Sequence, residues 1–284
     1  MAVPAGQSLG FTLPSCAARG RLVRPGALVD EILGTHAYPP PVARLLAEAL
    51  TLTALLGSLL VEEEGQLTLQ VRGEGGPLAL LVADYRGGEL RGYAALDLDR
   101  RLPPDAGDLQ TLFGAGQLVL TVDQIPGAER YQGIIDLDAP SLEAAAQRYF
   151  SASEQVPTLV RLAAVHGTDG RWQTGGLLLQ RLPDGDEEAG PAFEHAAVLG
   201  GSVRESELTD PALSADRLLW RLFHEQEVRV FPARQLRRGC RCSEQHIRAV
   251  LDRFPATERV EMRGADGRIT VDCAFCARQF LFDL

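Results

Sequence analysis

The sequence predicts an α+β core over residues 1–182, a helical linker of marginal stability over 183–231, and a small four-cysteine, zinc-binding module over 232–284. Three observations carry this division. In the first part, one long apolar helix is followed by strand-length apolar runs separated by turn residues. In the second, acids crowd a stretch broken by proline and glycine. In the third, four of the five cysteines stand in two close pairs.

Within the core, helical periodicity runs from about Pro41 to Glu63, with Leu45, Leu46, Leu52, Leu55, Leu56 and Leu59 able to face an interior. Its uncharged part, Ala49–Val61, is shorter than the roughly 20 residues a membrane span needs, so a buried helix is expected. A meander follows: Leu67–Arg72, Leu78–Asp84 and Glu89–Leu96, split by the turn signals Gly73–Pro77 and Arg86–Gly88. Gln117–Val122 and Tyr131–Leu137 add two strands. Ser141 offers a hydroxyl to cap a helix, and Leu159–His166 and Trp172–Gln180 complete the domain.

The character changes after Leu182. Residues 184–217 hold nine acids against two arginines, and Pro183, Pro191, Gly200, Gly201 and Pro211 divide them into short pieces. Pro183–Pro191 reads as an exposed linker. Leu213–Glu225 reads as a helix with Leu218, Leu219, Leu222 and Phe223 on one side. Self-repelling and with few apolar anchors, the segment is expected to be marginally stable.

The cysteines carry the chemistry. Cys240-Arg-Cys242 is followed, after thirty residues, by Cys273-Ala-Phe-Cys276. Two short pairs on separate turns can supply the four thiolates that zinc prefers in a tetrahedron. Between them, Ser243–Phe254 reads as a helix capped by Ser243, and Arg259–Arg263 with Arg268–Asp272 as a small hairpin. So few apolar residues could hardly fold without a metal. The bland alternative is structural zinc with no further role. His246 could compete as a ligand, but four thiolates already close the site, so it is placed on the exposed face of its helix.

Other motifs read as incidental. His224-Glu225 opens like a zinc-protease motif, but Val228 stands where the second histidine belongs. Gly6-Gln7-Ser8-Leu9-Gly10 matches a nucleophile elbow by letter only. Cys16 is a lone small residue. Asp84, Asp97, Asp99 and Asp123 lie near strand ends and are expected in solvated loops.

Composition excludes several classes. The net charge of −10 argues against nonspecific binding to nucleic acid or anionic membrane. All 28 basic residues are arginine, so there is no P-loop lysine and no Schiff-base lysine. No basic segment precedes an apolar stretch at the N-terminus, which predicts no signal peptide and a cytoplasmic protein using cysteine for metal or redox chemistry. Two rival readings remain. Ten arginines against seven acids over residues 232–284 suggest a zinc-ribbon nucleic-acid-binding protein, though a basic face and stacking platform are missing. A metalloenzyme would need an open coordination position, which four thiolates do not leave.

The order Cys-x-Cys, thirty residues, Cys-x-x-Cys near the C-terminus resembles the heat-shock protein 33 family of redox-regulated chaperones. Tyr149-Phe-Ser-Ala-Ser-Glu-Gln-Val-Pro-Thr158 is similar to that family's core segment, Gly175-Gly-Leu-Leu-Leu-Gln180 to its core-ending strand, and Arg221-Leu-Phe-His-Glu225 to its linker helix. The resemblance implies an ATP-independent holdase and no catalytic residue. It implies one zinc per chain in the reduced state, held by Cys240, Cys242, Cys273 and Cys276. It further implies the disulfides Cys240–Cys242 and Cys273–Cys276 on oxidation, unfolded client proteins as partners, and a homodimer when oxidised. Cα atoms two residues apart in an extended chain lie about 6.5–7 Å from each other, at the edge of the roughly 4.4–6.8 Å a disulfide accepts. Cys240–Cys242 is therefore expected to close after Cys273–Cys276.

Overall fold

In the computed structural model, residues 6–60, 62, 64–124, 130–183 and 189–283 are described. Strand β1 (Gln7–Leu13) turns through a 3-10 segment at Pro14–Cys16 into β2 (Ala18–Arg24). The short helix α1 (Ala27–Leu33) leads to α2 (Pro40–Gly57). A meander follows: β3 (Gln66–Gly75), β4 (Leu78–Arg86) and β5 (Glu89–Leu96). Helix α3 (Leu109–Phe113), β6 (Gly114–Asp123), β7 (Tyr131–Asp136), α4 (Leu142–Tyr149), β8 (Thr158–His166) and β9 (Trp172–Arg181) complete this part. Ser141 caps α4, accepting from the Ala144 N–H.

Helix α2 is the axis of the core. Arg44 and Glu48 are its only charged residues, and they pair with each other at 3.0 Å on its exposed side. Everything from Leu50 to Gly57 is buried, because sheets lie on both sides. The first sheet has the order β8, β9, β2, β1; the second runs β5, β4, β3, β6, β7. The helix ends at Gly57, short of the expected 63. A Cβ at Gly57 would lie 2.3 Å from the Tyr85 ring, and the Ser58 hydroxyl turns back to the Leu55 carbonyl.

Strand β9 explains how the next segment attaches. Side chains alternate faces along a strand, so Leu178 points to the cluster around α2, whereas Leu177 and Leu179 point the other way. Three helices cover that outer face: α5 (Ala189–Gly201), α6 (Glu205–Thr209) and α7 (Ala215–Phe223). They bury Phe193, Val203, Leu208, Leu218, Leu222 and Phe223 against Phe11, Leu22 and Leu177. One glycine permits the approach: at Gly175 a Cβ would sit 2.3 Å from the Leu208 carbonyl oxygen. On the opposite face, Gly176 lets α2 come close, since a Cβ there would sit 2.8 Å from Leu55 and Thr51. The acidic segment thus has more anchors than its charge predicts. The stretch expected as an exposed linker, 183–191, falls largely on residues 184–188, outside the described residues.

After α7 the chain pairs with both sheets. Strands β10 (Arg229–Val230) and β11 (Arg234–Gln235) add to β1, and β12 (Arg237–Arg238) runs parallel to β5. The last part holds α8 (Glu244–Leu251), α9 (Ala256–Glu261), β13 (Ile269–Asp272) and β14 (Gln279–Phe282). Ser243 caps α8, as its position predicts. The expected hairpin of 259–263 with 268–272 survives only as the antiparallel bridge Arg263–Ile269: residues 259–261 are helical, with Pro255 ahead of the first turn, and the paired hairpin is β13–β14. The sequence reading also missed the hairpin β1–β2. In β2, Arg19 and Arg21 flank Gly20 and Arg24 follows Leu22 and Val23, so charges and a glycine hide the strand pattern.

Candidate metal centre

Two turns bring the four cysteines together. Cys240 and Cys242 follow β12, just past Gly239, whose N–H donates to the Leu90 carbonyl at 3.0 Å. Cys273–Cys276 is the tight turn between β13 and β14, closed by the Ala277 N–H on the Cys273 carbonyl at 2.8 Å. Ala277 takes the left-handed conformation (φ 53°) that such a turn demands.

The sulfurs lie 3.3 Å apart for Cys240–Cys242, 3.6 Å for Cys240–Cys273 and 3.4 Å for Cys242–Cys276. All four fall within 4.8 Å of one another. A tetrahedron with metal–sulfur bonds of about 2.3 Å has edges of about 3.8 Å, so the donor set fits a zinc-sized ion. Burial pushes the Cys240 thiol up, but the Cys242 N–H and the neighbouring thiols outweigh it and hold Cys240 down at about 7. Burial raises Cys242 and Cys276. His246 is exposed and stands apart from the cluster, as expected.

The module's own core is Leu251, Ile269, Phe280 and Phe282, with Ile247 and Val271 partly buried beside it. Four buried side chains are far too few to fix a fold of this length alone.

Sequence reasoning missed how this cluster meets the core. Asp84, expected in a solvated loop, is buried in β4. Its Oδ2 accepts from Arg91 Nε at 2.8 Å and Nη2 at 2.6 Å, and from Arg241 Nη2 at 3.2 Å. Thr68 donates to Oδ1. Arg241, between the two cysteines of the first pair, also donates to Gln66 Oε1 at 2.7 Å. Phe275, inside the second pair, receives the Arg91 guanidinium over its ring at 4.0 Å and meets Tyr93 edge-on at 4.9 Å. His36 Nε2 donates to the Ala274 carbonyl at 2.8 Å. Both cysteine turns thus converge on one patch of β4 and β5. The signal available was position: Arg241 and Phe275 are trapped between cysteines. Of the other acids, Asp97 pairs with Arg100 and Asp123 with Arg130, both at 3.1 Å.

A second buried cation holds the acidic helices. Arg24 of β2 donates Nε to the Leu208 carbonyl at 3.0 Å, Nη2 to the Glu207 carbonyl at 2.8 Å, and Nη1 to the Leu213 carbonyl. These carbonyls lie at and beyond the C-terminus of α6, where partial negative charge collects. Cys16 is fully buried in the turn between β1 and β2, its Sγ 3.6 Å from Gln226 Oε1.

A family model described as Hsp33 protein matches residues 7–283. The chain belongs to the Hsp33 family. Relatives of this Hsp33 chain include the 33 kDa chaperonin of Caulobacter vibrioides, 42% identical over 284 residues that cover 96% of this chain and 93% of that protein. The 33 kDa chaperonin of Salmonella typhimurium is 37% identical over 276 residues, covering 96% and 90%. Among solved structures, the 33 kDa chaperonin of Thermotoga maritima matches with a TM-score of 0.83, over 98% of this chain and 94% of that one. At 22% identity that match shows the mixed α/β Hsp33 fold alone. Among the described residues, no helix is long and apolar enough to cross a membrane.

Proposed function

We propose that this chain is a redox-regulated, ATP-independent holdase of the cytoplasm that binds unfolding proteins and keeps them from aggregating. No residue is assigned a catalytic role. The observation that carries the reading is a four-sulfur cluster seated, through both of its turns, on the sheet that packs against α2. Family membership and the chaperonin names of the relatives support it.

In this reading Cys240, Cys242, Cys273 and Cys276 hold one zinc per chain when reduced. Bound zinc keeps the four sulfurs as thiolates, the nucleophilic form that an oxidant attacks. Each disulfide, Cys240–Cys242 or Cys273–Cys276, forms as two thiolates give up two electrons. Hydrogen peroxide accepts them, takes up two protons from solvent and becomes two waters. Disulfides leave no ligand set, and structural zinc contributes roughly 10–16 kcal/mol of apparent binding energy. A module with four buried side chains then unfolds. Arg241 and Phe275 leave the core, the connector strands β10–β12 lose their end point, and the acidic helices come away from β9. The apolar face so uncovered takes clients, and oxidised chains pair as homodimers.

Two outcomes test this. Reduced protein is expected to retain one zinc per chain; Cys242→Ser or Cys273→Ser should lose most of it, and Cys16→Ser none. Equal zinc in all three variants would remove the ligand assignment. Peroxide-treated protein is expected to suppress aggregation of a thermally unfolding client without nucleotide, and reduced protein to do so poorly. Equal activity in both states would leave a chaperone with no switch. Salt-dependent binding to RNA or DNA would favour the zinc-ribbon alternative.

A further inference from the structure

We propose that the cavity between β1, β2 and the connector binds a phosphate-type oxyanion, held by Arg19 and Arg21 from the core and Arg234 from the connector. The cavity measures about 620 Å³ and lies where residues 231–233 arch off the edge of β1 between β10 and β11. Strand register builds its wall. Thr12 faces Arg19, Gly10 faces Arg21 and Ser8 faces Arg234, and directly opposed residues share a sheet face. The three guanidinium groups thus line one side of the same cavity. Gly10 leaves room for one of these forks: a Cβ there would lie 2.6 Å from Arg21 Nη1.

Among the described residues, what the cavity lining lacks is negative charge. Among the described residues no carboxylate lines it, and none forms an ion pair with any of the three arginines. This lining carries, among the described residues, three positive charges in a chain of net charge −10, and Arg234 also borders the adjoining cavity that holds Glu62, Glu64 and Glu89. Neutral groups satisfy only part of the donor capacity. Arg19 gives Nε and Nη2 to Gln180 Oε1 at 2.9 and 2.6 Å. Arg21 gives Nε to the Ser58 carbonyl at 3.3 Å and Nη1 to the Gly20 carbonyl at 3.1 Å. Nη1 of Arg19, Nη2 of Arg21 and the exposed fork of Arg234 find no acceptor among the described residues. Burial lowers the Arg21 pKa first, and the charges of Arg234 and Arg19 lower it further, as expected for cations pressed together without a counterion. Ser8 adds an independent mark: it lines the cavity, is 2% exposed, and its hydroxyl has no partner. A buried hydroxyl left unpaired is costly unless something fills the site.

Three guanidinium groups and a hydroxyl, all donors, suit an acceptor with several oxygens, and arginine forks match phosphate geometry. The cavity admits a free ion or a short phosphate chain. Because Arg234 belongs to the connector and the other two to the core, a bound oxyanion ties β11 to β1 and replaces like-charge repulsion with attraction. This stabilises the docked connector whatever the protein's role, so the site does not rest on the chaperone reading.

The test is calorimetry on intact, reduced protein at constant ionic strength, with inorganic phosphate and with tripolyphosphate as probes. We expect saturable binding of one ion per chain, with tripolyphosphate tighter if a chain is the better fit. Arg234→Gln and Arg19→Gln should each weaken it by about tenfold or more, while Arg253→Gln, an exposed arginine elsewhere, should not. Arg234 is exposed and its side chain makes no hydrogen bond among the described residues, so its variant should fold. Phosphate should also slow amide exchange across residues 229–236 in the wild type and not in Arg234→Gln. Absence of saturable binding, unchanged affinity in both cavity variants, or an equal loss in Arg253→Gln would overturn the proposal.

Discussion

Replacing Arg24 by methionine is expected to release the acidic helices from the core while the protein is still reduced. Methionine keeps most of the apolar stem and removes the fork. Three carbonyls, of Glu207, Leu208 and Leu213, then lose their donor in a buried place. A hydrogen bond to a charged group contributes about 1.5–3 kcal/mol, and the three share one donor, so their loss is not additive. A net cost of about 3 kcal/mol to the docked segment is a reasonable expectation, which raises its open population by about a hundredfold. Limited proteolysis and amide exchange over residues 202–214 should report it, with little change in β3–β6. If opening this segment uncovers the client surface, reduced Arg24→Met should suppress aggregation as is proposed for oxidised wild type. Arg24→Lys separates fork from charge: it should fall between the two. Unchanged protection of 202–214 in Arg24→Met would show that apolar contacts alone hold the helices down.

The second large effect is expected at Asp84. Asp84→Leu leaves Arg91 and Arg241 facing each other without the carboxylate that holds both. Breaking one partner out of a buried ion pair costs about 3–5 kcal/mol, because the remaining charges are desolvated and uncompensated. Half of this patch belongs to the cysteine module, so the module should undock and β12 should lose protection. Zinc content should stay at the wild-type level, since no sulfur has moved from its turn. That combination, normal metal and loosened docking, distinguishes the patch from the ligand set. In a double-mutant cycle, Arg241→Leu should recover part of the loss in Asp84→Leu. A cycle with no coupling would mean that Arg241 only lies near Asp84.

Much of this arrangement was legible in sequence, for identifiable reasons. The meander β3–β5 has regular alternation and glycine turns, and β8 and β9 are dense in leucine, valine and alanine, so local pattern and final structure agree. The cysteine cluster was legible because ligand spacing is a covalent constraint. What escaped was set by tertiary context. The arginines of β2 point partly into a cavity and partly onto carbonyls of residues nearly 190 positions away, which no local window can register. Asp84 looked like a loop acid because its partners, Arg91 and Arg241, are 7 and 157 positions distant. The acidic helices looked poorly anchored because their anchors are the outward leucines of β9, whose two-faced burial reads as an undifferentiated apolar run.

That two-faced strand has a kinetic consequence. Leu178 stays in the interior around α2 whether or not Leu177 and Leu179 are covered, so shedding the helices need not dismantle the sheet beneath them. In the proposed cycle the acidic segment then remains tethered beside the surface it has left. It acts as an intramolecular competitor for that surface at an effective concentration in the millimolar range, set by its short connections. Clients held more weakly than this would be displaced as soon as the segment regains its helical form. Release would therefore need no nucleotide, only restoration of the rival occupant, and its rate would follow the recovery of the cysteine module and not the affinity of each client.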